Sequence, residues 1–171
     1  LTQLSATGTK NNTTFLRGDN TFATPSGGVN TPTFEVYKSS HQTVSDAVTT
    51  KVTFDTEVFD TANAFASDKF TVPQDGKYRI YSQLTHYSVS SGQISDCRTQ
   101  IYKNGSQYKE VLTIFGSTQG YFISLFNSAI MDLAVGDYIE MYAQINVGSG
   151  TVQVSGSSNK ETYFGGFKII E

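Results

Sequence analysis

The sequence predicts an all-β chain, a sandwich or jelly roll preceded by an extended polar arm, and three observations predict it. From Thr33 onward, aromatic and β-branched residues alternate with polar ones at period two. Gly, Asn, Asp and Pro break this pattern into many short segments. No convincing run of apolar residues recurs at helical spacing.

The arm comes first and spans residues 1–28, with the head domain at 29–171. Thr, Gly, Asn and Ser dominate it, and its apolar anchors are isolated: Leu1, Leu4, Phe15, Leu16 and Phe22. Such a segment buries too little surface to order itself alone. The anchors therefore predict attachment to another protein or to copies of the same chain. Ser26-Gly27-Gly28 reads as a flexible joint. Phe15 to Pro25, FLRGDNTFATP, resembles a short element of bacteriophage tail-fibre and virion-fibre proteins. Asn20 stands where that element usually has Gly, and Phe22 where it usually has Trp. Asn tolerates left-handed backbone, and Phe keeps an aromatic anchor. Arg17-Gly18-Asp19 is also the tripeptide of integrin ligands, but a turn at Gly18 inside the longer element accounts for it.

The head's strands follow in order. Thr33–Lys38 sets Phe34 and Val36 against Glu35. Lys51–Val58 places Val52, Phe54 and Thr56 on one face. Pro73-Gln74-Asp75-Gly76 turns into the long segment Gly76–Tyr87, with Tyr78, Ile80 and Leu84 inward and Lys77, Arg79 and Gln83 outward. His86 falls on the inward face if the alternation persists, as a partly buried histidine. Asn104-Gly105 between Arg98–Lys103 and Ser106–Ile114 is a hairpin signal. Gly136-Asp137 opens the cleanest alternation, Asp137–Val147, with Ile139, Met141, Ala143, Ile145 and Val147 inward. Gly148-Ser149-Gly150 leads to Thr151–Ser155. Gly165-Gly166 in the last strand implies close backbone approach or a bulge. Polar loops are expected at Ser39–Thr50, Asp60–Ser67, Ser88–Ser95 and Ser117–Gly120.

Five motifs, in order, resemble the globular head of complement first component, subcomponent q, a relative of the tumour necrosis factor jelly rolls. They are Val52-Thr53-Phe54-Asp55; Phe70-Thr71-Val72-Pro73-Gln74-Asp75-Gly76-Lys77-Tyr78; Tyr102-Lys103-Asn104-Gly105; Leu133-Ala134-Val135-Gly136-Asp137-Tyr138-Ile139; and Phe164-Gly165-Gly166-Phe167. The resemblance implies a ten-stranded jelly roll that assembles as a homotrimer. Tyr81, Tyr138 and Tyr142, spare aromatics at outward positions, are its candidate interface residues, with Phe164 and Phe167, which pack on the core or on a neighbour.

Composition narrows the function. Only 16% of residues are charged, the net charge is -3, and Lys and Arg do not cluster, which argues against nucleic acid. Apolar runs are too short for a bilayer-spanning helix. The single Cys97 has no intrachain disulfide partner, and nothing in the sequence places His41 or His86 beside it. The carboxylates share no catalytic spacing, so the expectation is a non-enzyme with no cofactor and no metal. The reading is a bacteriophage virion structural protein on the particle surface. It is a trimeric fibre or decoration head whose arm binds other virion proteins. The alternative is an adhesin head that binds a host cell-surface glycan or protein.

Overall fold

Each segment whose alternation is clean in the sequence becomes a strand with one face in a shared core. The structure, a computed structural model, describes residues 6–24, 30–89, 93–116 and 120–169. The chain divides between Val29 and Asn30 into two units.

The first unit contains a hairpin of β1 (Phe15–Leu16) and β2 (Phe22–Ala23). Its turn closes through Arg17 N–H on Thr21 O at 2.8 Å and Asn20 N–H on Arg17 O at 3.0 Å. Asn20 has a φ of 64°, so it takes the left-handed conformation that Gly would otherwise supply. Over these residues the arm folds back on itself rather than running straight. A two-stranded hairpin lacks the third layer that would make it stable alone.

In the second unit the strands are β3 (Thr33–Tyr37), β4 (Gln42–Val44), β5 (Thr50–Lys51), β6 (Thr56–Asp60), β7 (Phe65–Ala66), β8 (Lys69–Thr71), β9 (Gly76–Ser88), β10 (Ile94–Lys103), β11 (Ser106–Ile114), β12 (Phe122–Leu133), β13 (Tyr138–Val147), β14 (Val152–Val154) and β15 (Tyr163–Lys168). They form an all-β jelly-roll sandwich. The six-stranded sheet runs β11-β10-β13-β8-β7, with β5 also on β13. The seven-stranded sheet runs β4-β14-β9-β15-β3-β6, with β12 also on β9.

The inward residues meet in one core. Phe34 stacks on Phe70 with ring centroids 4.2 Å apart, and Phe164 meets Phe34 edge-on at 4.9 Å. All five inward residues of β13 are buried, as are Tyr78, Ile80 and Leu84 of β9. The sulfur of Cys97 is fully buried, and burial, with the Asp96 carboxylate beside it, pushes the thiol up to about 12.

Three expectations need correction. Lys51–Val58 is not one strand. The Gln42 amide accepts from Thr53 N–H at 2.9 Å and donates to Lys51 O at 2.8 Å, while the Asp68 carboxylate takes Phe54 N–H at 2.8 Å. Side chains thus replace a ladder partner between β5 and β6, although Val52 and Phe54 still face the core. The loop Ser39–Thr50 contains β4, which pairs with β14, and Asp60–Ser67 contains β7. Parts of the two later loops, 90–92 and 117–119, lie outside the described residues.

Two turns link the sheet ends. Asn104 and Gly105 have φ values of 52° and 76°, the two left-handed residues of a tight hairpin turn. The Asn104 side chain accepts Tyr138 N–H at 2.8 Å and donates to Asp137 Oδ1 at 2.7 Å. Lys103 Nζ lies 2.8 Å from Asp137 Oδ2, which also accepts Ala134 N–H at 3.0 Å. These donors, Lys103 foremost, hold the Asp137 carboxyl down at about 2 against an ordinary 3.8. Stability from this contact is therefore present above about pH 4 and is lost as the pH falls toward 2. Asp137→Asn should cost about 1 kcal/mol at neutral pH, a figure discounted for solvent screening. It should also remove this acid-dependent step, as read by urea denaturation at a series of pH values.

Candidate assembly face

The seven-stranded sheet turns two kinds of surface outward, and β12 makes the difference. Its inward residues Leu125, Met131 and Leu133 enter the core, as alternation requires. Its outward residues include Phe122, Phe126 and Ile130, which are 49%, 49% and 59% exposed. A strand that is apolar on both faces belongs in a sheet covered on both faces. Here that outward row is exposed among the described residues.

Register places further apolar residues beside them. Phe126 pairs with Gln83, which pairs with Tyr163, which pairs with Tyr37. Ile130 pairs with Arg79, and Arg79 with Phe167. Between these two rows runs Ser128, Tyr81, Gly165 and Glu35, with exposed Phe59 of β6 next to Glu35. The outward face of β12, β9, β15 and β3 is thus a broad patch of rings and aliphatic groups, larger than scattered exposed apolar residues would give.

Gly165 shapes the centre. A Cβ there would stand 2.6 Å from the Tyr81 ring and 2.9 Å from Phe34 O. The Tyr81 ring lies over that glycine and donates its hydroxyl to Glu35 Oε2 at 3.0 Å. Burial, with the bond to Glu35 second, pushes the Tyr81 phenol well above its ordinary range, so it remains a donor at any physiological pH. At one end of the face, Tyr87 contacts Tyr121 edge-on at 5.2 Å and Phe122 at 5.9 Å, and the two phenol oxygens are 3.0 Å apart.

The outer face of the six-stranded sheet is different. Arg98 bonds Gln144 Oε1 at 2.8 Å and lies between Asp96 and Glu110 at 3.4 and 3.7 Å. Lys51 meets Glu140 at 2.7 Å. The two cations are thus paired within the chain, while Leu112 and Ile114, level with Arg98 and Asp96 on β11, stay exposed on that face.

The five predicted interface residues divide accordingly. Tyr81 and Phe167 lie on the aromatic face. Tyr138 and Tyr142 lie on the other sheet, under Lys69 Nζ at 4.8 Å and against Tyr102 at 4.1 Å. Phe164 is corrected to a core residue: it is fully buried, because alternation from Tyr163 turns it inward onto Phe34. Phe122, Phe126, Ile130 and Tyr163 were missed. The signal for the first three was the apolar residue at every other outward position of 122–130.

Of the arm anchors, Phe15 and Leu16 are 47% and 42% exposed, Phe22 is half-buried, and Leu1 and Leu4 lie outside the described residues, as does Ser26-Gly27-Gly28. Arg17 Nε faces Asp19 Oδ2 at 3.9 Å and Asp19 Oδ1 accepts the Thr21 hydroxyl at 2.6 Å, so the tripeptide bonds to its own turn.

The polar groups that come together do not form a nucleophile relay. Ser155 Oγ donates to Glu161 Oε1 at 2.5 Å and lies 3.3 Å from His41 Nδ1, which accepts Gly156 N–H at 3.1 Å. The hydroxyl is committed to a carboxylate, and the imidazole nitrogen nearest it is taken by backbone. His86 lies on the adjacent strand, level with Val154, but takes no part in that group. It is buried inside the sandwich with Nε2 sharing a 3.0 Å hydrogen bond with the Thr99 hydroxyl. Among the described residues no three His, Cys, Asp or Glu side chains are grouped to hold a metal ion, and no helix is long and apolar enough to cross a membrane.

Comparison with known proteins agrees with this architecture. The chain is 27% identical over 128 residues to the uncharacterized protein YqcC of Bacillus subtilis (strain 168), a match that covers 71% of this chain and 34% of that protein. The chain thus spans about a third of the length of that curated relative. Among solved structures, Eiger TNF from S. frugiperda superposes with a TM-score of 0.61 at 13% identity, covering 81% of this chain and 92% of that one. Murine APRIL gives 0.58 at 15%, covering 80% and 98%. The globular domain of zebrafish complement 1qA gives 0.54 at 16%, covering 82% and 98%. Identities this low speak for the fold alone. The profile of the TNF(Tumour Necrosis Factor) family matches residues 55–169, from the segment before β6 to the end of β15, and the chain belongs to that family.

Proposed function

We propose that this chain is a non-enzymatic assembly head in which three copies close a ring through the aromatic face of the seven-stranded sheet. The observation that carries the reading is the outward row Phe122, Phe126 and Ile130 on a strand whose inward row is already in the core. Exposed rings of this number favour burial against protein. The outer face of β11, on the six-stranded sheet, supplies a second apolar surface, with Leu112 and Ile114 exposed. Two unlike surfaces on one chain suit a head-to-tail contact, which closes into a ring. The fold that the chain shares with tumour necrosis factor and complement heads supports the number three.

In this reading the head belongs to a bacteriophage virion and projects from its surface. The N-terminal hairpin binds other virion proteins through Phe15, Leu16 and Phe22. The resemblance of FLRGDNTFATP to fibre-protein elements supports that assignment, and so does the exposure of Phe15 and Leu16 on a hairpin too small to be stable alone. The test is the mass of the chain in solution by sedimentation equilibrium. The wild type should be a trimer. Phe126→Asp with Ile130→Asp should shift it to monomer, raising the dissociation constant by about a hundredfold or more, with circular dichroism unchanged. A monomeric wild type at every concentration overturns the reading. Retention of the isolated chain on intact bacterial cells would move it to the attachment alternative, for which the Tyr87–Tyr121–Phe122 cluster offers an aromatic platform.

A further inference from the structure

The aromatic face carries two charges, Glu35 and Arg79, that are unmatched among the described residues. Glu35 of β3 accepts the Tyr81 hydroxyl on Oε2 and has no cation within ion-pair distance among the described residues. Arg79 of β9 is exposed and likewise has no carboxylate there. They cannot reach each other easily, because β15 lies between their strands and Arg79 sits two residues along β9 from Tyr81, the residue level with Glu35. At ordinary strand spacing this sets their backbones roughly 12 Å apart.

We propose that these two groups recognise each other between copies: the Glu35 carboxylate of one protomer pairs with the Arg79 guanidinium of the next. The proposal rests on the ring assembly argued above and names the residues that fix its register. The positions between and around them are Tyr37, Tyr81, Tyr163, Phe167 and Ile130, and the next charged rung on this face is Lys77 opposite Asp132, two residues beyond Arg79 and away from Glu35. Covering such a patch takes both charges out of water, which is costly for each one left unpaired. One carboxylate and one guanidinium per chain cancel when each finds the other on a neighbour. Like charges brought together in any other register repel, so the pair selects one docking geometry as well as one partner, a second copy of this chain.

Glu35 is also prepared for the contact. The bond from Tyr81, whose ring is fixed over Gly165, holds Oε2 and leaves Oε1 free of any hydrogen bond among the described residues. Arg79 pairs in register with Phe167 on one side and Ile130 on the other, so apolar neighbours flank its stem. A guanidinium meets a carboxylate in a planar fork that lysine does not reproduce.

A charge-swap cycle on the full chain tests this by sedimentation equilibrium. Glu35→Arg and Arg79→Glu should each raise the dissociation constant of the assembly about tenfold or more, and the double variant should recover to within about threefold of wild type. Circular dichroism and thermal melting check that each variant folds. Should a reversal fail to fold, Glu35→Gln, Arg79→Gln and their double variant replace it, and the double should then cost less than the sum of the singles. The pairing is overturned if the single variants assemble like wild type, or if the double is no better than the worse single. A wild type that never assembles removes the ring reading and the pairing together, whereas a trimeric wild type with indifferent variants removes the pairing alone.

Discussion

Phe34→Ala should destabilise the head by about 4 kcal/mol, the upper part of the range for an aromatic ring lost from a core. Phe34 is fully buried and lies where both sheets meet. It stacks on Phe70 of β8 at 4.2 Å, meets Phe164 of β15 at 4.9 Å and faces Phe65 of β7 at 5.9 Å. The hole left by the ring cannot close by backbone movement, because β3 is hydrogen-bonded to β15 on one side and β6 on the other. Nor can the opposite wall move in. At Gly166 even one added carbon would stand 2.8 Å from Ile80 Cδ1 and 3.1 Å from Phe34 Cε1, so the strands already touch. Phe34→Leu keeps most of the volume and should cost about 1 to 1.5 kcal/mol. Urea denaturation at pH 7 separates the two, and a loss below about 1 kcal/mol for the alanine variant would contradict this packing. The thermal midpoint should fall by about 10 °C, given the usual entropy of a domain this size.

Period two was enough to place β3, β9 and β13 and to turn Phe34, Ile80 and Met141 inward, because those strands have one apolar and one polar face. The turns at Asn104-Gly105 and Gly136 were legible because the backbone there needs positive φ, which few residue types accept. β12 was not legible. Leu125 and Met131 face the core while Phe126 and Ile130 face out, so its sequence lacks clean alternation, and Phe122, Leu125, Phe126, Ala129, Ile130 and Leu133 fall instead at the spacing of a helical stripe. The same ambiguity hid the site, since the strand that blurs the pattern is the one that carries the exposed rings. Alternation turns Tyr138 and Tyr142 outward, as in the structure, but the sequence does not say which sheet's outer face they occupy. That depends on β13 pairing with β10, a contact between segments far apart along the chain. The sequence leaves Phe164 open between core and interface, because Gly165-Gly166 offers no side chain by which to follow the alternation of its strand. The break at 52–55 had no local signal, as it is made by the side chains of Gln42 and Asp68.

The head should lose stability steadily in mild acid, and His86 should be the main cause. The imidazole is fully buried on the inward face of β9, between neighbours that offer it one hydroxyl and no charge. Its Nε2 shares a bond with Thr99, and its Nδ1 has no hydrogen-bond partner among the described residues. Burial alone pushes the ring down to about 3 from an ordinary 6.5. The unfolded chain therefore binds a proton below pH 6.5 that the folded chain refuses until about pH 3. Stability is at its full value above 6.5 and falls as the pH drops through this window, by about 1.4 kcal/mol per pH unit once the unfolded histidine is charged. The loss should reach about 4 kcal/mol, far more than the Asp137 contact, which titrates lower and sits at the surface. His41 separates the two histidines experimentally, because it is exposed and its contacts are at the sheet end. His86→Leu keeps the size of the side chain and removes the proton site. Urea denaturation between pH 7 and 4 should show the steep slope in wild type and His41→Gln and a nearly flat line in His86→Leu. A slope that survives in His86→Leu would assign the acid sensitivity elsewhere, and a flat wild type would mean that the buried ring accepts its proton without cost.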